Sequence, residues 1–96
     1  MRDNDLDNAL TLIERALSKV PEKPSYRVQK AKILFQQGQF QESLQTLLDL
    51  EGKSTYFPIY EWIARSYEKL NQPENADKYS QMALKYGAPT QSQIKN

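Results

Sequence analysis

Small side chains recur along this chain of 96 residues at a nearly constant interval. Ala9, Ser43 and Ala76 are spaced by 34 and 33 residues, and so are Ala16, Leu50 and Ala83. Ala31 and Ala64 are 33 apart, as are Leu34 and Tyr67, and Gly38 and Asn71. A period of this length marks stacked supersecondary units. One unit cannot bury its apolar face alone, so neighbours complete a shared core. The length holds about 2.8 such units, so the chain reads as part of a stack.

Within each unit the apolar residues fall at helical spacing. Val28, Ala31, Leu34 and Phe35 form one set, and Tyr60, Ile63, Ala64 and Tyr67 another. Leu44, Leu47, Leu48 and Leu50 mark a helix after Gly38, and Ala76, Tyr79, Ala83 and Leu84 one after Asn71. Glycine and asparagine accept the left-handed conformation that ends a helix, so Gly38 and Asn71 are the expected turn points. Pro73 suits a first helical turn, where its missing N–H has no partner to lose. Pro21, Pro24 and Pro58 fall between units. The spacing predicts five helices near residues 5–19, 25–37, 40–51, 57–70 and 73–86, with a polar, frayed tail from Ala88.

Composition narrows the chemistry. The chain has no cysteine and no histidine, which excludes disulfides, thiolate or imidazole metal sites, and cysteine or Ser-His-Asp nucleophilic catalysis. Thirteen Lys and Arg against 12 Asp and Glu leave a net charge of +1, which argues against bulk electrostatic binding to nucleic acid or anionic membrane. Arg27, Lys30 and Lys32 cluster without a wider basic face. No run approaches the roughly 20 apolar residues of a membrane span, and Met-Arg-Asp-Asn-Asp does not resemble a signal peptide. The compartment is not indicated, with the cytoplasm as the default expectation.

The chain resembles the tetratricopeptide repeat family over about residues 7–90. One unit reads Ala31-x-x-Leu34-x-x-x-Gly38-x-Phe40-x-x-Ser43, followed by Leu47 and Leu50. The next reads Tyr60-x-x-Ile63-Ala64-x-x-Tyr67-x-x-x-Asn71-x-Pro73-x-x-Ala76, followed by Ala83-Leu84. Ala9 through Ala16-Leu17 to Pro21 matches the second helix of an earlier repeat. The resemblance implies an all-α, right-handed superhelical array of antiparallel helix pairs. Residues 5–23 would be a half repeat or cap helix, 24–56 and 57–90 repeats, and 91–96 a tail, together one domain over 1–96. Small residues would let paired helices approach, with first helices lining a concave groove and second helices the convex back.

There are departures. Arg27 and Lys30 stand where the family has an aromatic and a leucine, so either this unit packs less well or their long stems cover the core while their charges reach water. Lys53-Ser54-Thr55 replaces the closing proline. About two and a half repeats suggest a segment of a longer array, a cap formed by residues 5–19, or an exposed end that pairs with another chain.

The resemblance implies a non-enzymatic module that binds a partner protein or peptide in the groove. The groove-facing set would be Val28, Gln29, Lys32, Phe35 and Gln36 from one helix, and Glu61, Trp62, Arg65 and Lys69 from the next. Two aromatic anchors with three cations suit a segment with an apolar anchor and acidic groups. Equally, Phe35 and Trp62 would seal the joint between repeats, with Tyr60, Tyr67 and Phe40 in the core. The Lys/Asn/Arg clamp by which some members hold a chaperone's C-terminal carboxylate is missing in either register, since Val28, Lys32, Gln29, Pro58 and Trp62 occupy its positions. The alternative role is assembly, with the open array ends docking on another repeat or a second copy.

Two constellations test other chemistries. Asp3-x-Asp5-x-Asp7 with Glu14 has the spacing of a calcium loop, but Asn8 stands where that loop needs glycine. The plainer expectation is that Asp3, Asn4, Asp5 and Asp7 cap a helix N-terminus. Glu61 and Glu68 share a helix face with Arg65 between them, which reads as a solvated face with ion pairs. No cofactor is implied.

Overall fold

The computed structural model describes residues 2–89, with side chains from Asp5 onward. It is an all-α helical repeat array, with helices α1 (Arg2–Lys19), α2 (Pro24–Gln36), α3 (Phe40–Leu48), α4 (Phe57–Lys69) and α5 (Pro73–Lys85). The tail residues 91–96 lie outside the described residues. Each helix packs on the one before it, and α2 also touches α4, so the second and fourth helices are neighbours across the joint between pairs.

The turns form as the residue types require. Gly38 and Asn71 adopt φ values of 82° and 62°. In each case the following N–H reaches back to a carbonyl five residues earlier, Gln39 to Leu34 and Gln72 to Tyr67, both at 2.9 Å. Gly87, at φ 115°, makes a third closure of the same kind, with Ala88 N–H bonded to Ala83 at 2.9 Å. The expected fraying from Ala88 is therefore corrected at its first residue, since Ala88 is buried against the core. Pro24 and Pro73 open α2 and α5, and Pro58 is the second residue of α4.

Two boundaries differ from the spacing-based expectation. Helix α1 starts at Arg2, so Asp3, Asp5 and Asp7 lie within its first turns, where helix polarity favours acidic residues. They are not caps, and a helical backbone cannot make a calcium loop. Helix α3 stops at Leu48 because its end tightens into three-residue closures, Leu50 to Leu47 and Glu51 to Leu48, before Gly52 turns left-handed at φ 81°. Leu50 still enters the core, from this turn.

The core sits where α2 to α5 meet. Ala31, Leu47, Ile59, Tyr60 and Ile63 have no exposed surface. The small residues act as the period predicts. Ser43 is fully buried and Ala76 nearly so, and Ser43 Oγ donates to the Ala31 carbonyl at 2.8 Å, which brings α3 against α2. Tyr79 stacks near Tyr67 and Tyr60, and its hydroxyl donates to Glu51 at 2.8 Å. Burial, then the Glu51 carboxylate, raises the Tyr79 pKa. Tyr60 is raised chiefly by burial.

Helix α1 is the peripheral element, because no residue from Asp5 to Lys19 is fully buried. Its side chains reach α2 through Glu14–Lys30 at 3.5 Å, and the turn after α2 through an Asp7–Gln37 hydrogen bond of 2.8 Å. Arg27 behaves differently from expectation. Its guanidinium turns inward to donate to Pro21 and Thr46 carbonyls at 2.9 and 3.0 Å, with Asp49 at 3.6 Å. The charge is thus used to tie the α1–α2 turn to the end of α3.

Candidate functional site

Helices α2 and α4 bring one aromatic residue each to their shared joint. Phe35 and Trp62 meet edge to face, with centroids 5.2 Å apart and planes at 80°. Phe40, two residues past the Gly38 turn, also meets Phe35 edge to face, with centroids 5.0 Å apart. All three rings are half-buried. They close the joint between helix pairs and keep part of their surface in solvent. Phe40 had been expected in the core; the turn at Gly38 folds it back beside Phe35 instead.

Cations cover two of these three rings. The Arg65 guanidinium lies 4.5 Å from the Trp62 centroid, one helical turn along α4. Lys32 Nζ approaches the same ring from α2 at 5.7 Å. Lys69 Nζ lies over Phe40 at 5.9 Å. A cation over an aromatic face is attracted to the ring's electron density, by about 0.5–1 kcal/mol where solvent-exposed. The three cations lie over two rings, Trp62 from α4 and Phe40 from α3.

Of the residues expected in the groove, Phe35, Trp62, Lys32 and Arg65 come together, and Lys69 joins them through Phe40. Val28 does not. It is only 5% exposed and packs in the core, so it offers no surface to a partner. The helical repeat of α2 turns Val28 inward with Ala31. Gln29 and Gln36 are exposed on α2 and Glu61 is half-buried on α4, but no ring or cation contact of the triad involves them. Sequence reasoning missed Phe40 as part of this face; its position two residues after Gly38 was the available signal.

Glu61, Arg65 and Glu68 rim a shallow cleft between α4 and α5, floored by Ala64, Ala83 and Ala88. No helix among the described residues is long and apolar enough to cross a membrane.

A family model described as anaphase-promoting complex, cyclosome, subunit 3 matches residues 2–81. The chain belongs to this family of tetratricopeptide-type repeats. A similar protein is the TPR repeat-containing thioredoxin TTL4 of Arabidopsis thaliana, 30% identical over 79 residues. That match covers 81% of this chain and 12% of the relative, so the chain corresponds to a small part of that protein's length. This chain has no cysteine, so thiol chemistry is not carried over with the likeness. Repeats of this family generally mediate protein–protein interaction and are generally non-catalytic.

Proposed function

We propose that the chain is a non-enzymatic binding module whose Phe35–Trp62 face takes a segment of a partner protein. The face would lie on the concave side of the array. The observation that supports this reading is the convergence of Lys32 and Arg65 on the Trp62 ring where it meets Phe35. Half-buried aromatics contribute large contact area for little side-chain entropy, and charges around them orient the partner. The partner is a protein segment with an apolar anchor and acidic groups, and neither nucleic acid nor membrane insertion is part of this reading.

The test uses peptides selected on the native chain from a random display library. Replacing Trp62 and Arg65 together with Ala should abolish their capture while the helical circular dichroism stays unchanged. Undiminished capture by the folded double variant would remove these residues from the binding face.

A second reading rests on α1. Leu12 is 63% exposed and Val20, just past the helix, is 46% exposed, so apolar surface is available there for self-association. Light scattering across a concentration range decides it, and a constant monomer mass would dismiss it.

A further inference from the structure

We infer that Arg65, seated on Trp62, is the residue that reads a carboxylate on the bound segment, with Lys32 supplying the second charge. This rests on the binding face proposed above and adds which residues carry its preference for acidic groups and how they are positioned.

The first support is the state of the cations. Among the described residues the ion pairs are Arg27–Asp49 and Lys30–Glu14, and neither involves Lys32, Arg65 or Lys69. Arg65 has acidic neighbours at helical spacing, Glu61 four residues before it and Glu68 three after. Neither brings a carboxylate oxygen within ion-pair distance of it in this structure. Arg65 instead lies over the indole at 4.5 Å. A guanidinium over an aromatic face is restrained there and keeps its outward N–H groups for a planar, two-oxygen acceptor.

The second support is convergence. Lys32 belongs to α2 and Arg65 to α4, yet both lie over one ring. Each helix delivers one cation to the same ring, so an acidic group entering there meets two charges from two helices. Because cations already cover Trp62, an incoming group meets charge over that ring. Apolar contact is left to the exposed part of Phe35. Trp62 then acts as a positioning residue for Arg65. The occupant with this chemistry is a peptide carrying Asp or Glu beside a nonpolar side chain.

The experiment uses the full chain and three labelled synthetic peptides of equal length. One carries Leu flanked by Asp and Glu, one carries Asn and Gln in their place, and one carries phosphoserine. Binding is read by fluorescence anisotropy at low and moderate salt. The acidic peptide should bind at least about tenfold tighter than the amide peptide, and salt should narrow the difference. Arg65→Lys keeps the charge and loses the fork, so it should weaken the acidic peptide about fivefold or more. Arg65→Gln should erase most of the preference. Trp62→Leu should also weaken the acidic peptide, because the guanidinium loses its platform.

Native affinity in Arg65→Lys, or a preference that survives in Arg65→Gln, overturns the inference. Much tighter binding of the phosphoserine peptide overturns the carboxylate assignment in favour of phosphate. If the amide peptide binds equally well and still needs Trp62, the binding face stands and its acidic selectivity falls. If no peptide binds, the face itself falls.

Discussion

Ser43 Oγ donates to the backbone carbonyl of Ala31 at 2.8 Å, and neither residue has any exposed surface. Ser66, also fully buried, lies 3.4 Å away from the Ser43 hydroxyl and donates to the Trp62 carbonyl at 2.9 Å. Three helices are thus drawn together by small residues whose polar atoms are satisfied, which is how buried hydroxyls become tolerable. Ser43→Ala keeps the close approach and loses one net hydrogen bond, so it should lower stability by about 1 kcal/mol. Ser43→Leu overfills the contact and should lower it by about 3 kcal/mol. Urea melts compare the two, and a Leu variant as stable as the Ala variant would contradict the role of small residues at the repeat period.

Arg27 tests a feature that the family pattern hides. Its two donations to backbone carbonyls, with the Asp49 contact, hold the α1–α2 turn to α3. Arg27→Met keeps the apolar stem and loses these bonds, and should lower stability by about 2 kcal/mol. Arg27→Lys should restore only a small part, since an ammonium cannot reproduce the fork geometry. Full rescue by Lys in thermal melts would mean that charge alone matters at this position.

Gly38 and Asn71 separate backbone strain from packing. A Cβ at Gly38 meets no atom within 4 Å, so Gly38→Ala tests only the left-handed conformation and should lower stability by about 1 kcal/mol. Asn71→Gly relieves a non-glycine residue at φ 62° and should be neutral or raise stability by a few tenths of a kcal/mol. A loss at Asn71→Gly as large as that at Gly38→Ala would show that the Asn71 side chain, not its backbone, is what matters.

The Tyr79 hydroxyl sets an alkaline limit. Burial and the Glu51 carboxylate raise its pKa above the ordinary value of 10.0, so the folded chain holds this proton more tightly than the unfolded chain. The associated stability is fully present below that ordinary value and is lost as pH rises through the folded value. Tyr79→Phe should cost about 1 kcal/mol near neutrality and flatten the alkaline decline. Tyr60, raised chiefly by burial, leaves a residual slope. Denaturant melts at neutral and strongly alkaline pH measure both effects, and an unchanged decline in Tyr79→Phe would contradict the assignment.

Much of this architecture was legible in residue spacing because repeat stacking imposes two demands. A small residue is needed where helices touch, as at Ala31 and Ser43, and a left-handed residue where they turn, as at Gly38 and Asn71. The end of α3 was not legible, because Leu50 keeps helical spacing while its backbone has already tightened toward Gly52. Val28 was misplaced for a different reason: the family resemblance put it in the groove, whereas its helical spacing groups it with Ala31 and Leu34, beside which it is buried. Phe40 and Arg27 depend on how side chains fold back across a turn, which no single-helix pattern encodes.

The most direct test of the central claim is an amide and indole chemical-shift titration of the labelled chain with a display-selected peptide. The Phe35–Trp62 account predicts the largest shifts at the Trp62 indole N–H and at Lys32, Phe35 and Arg65, with small ones elsewhere. Shifts concentrated at Leu12 and Val20 of the α1 end, with Trp62 unmoved, would contradict it.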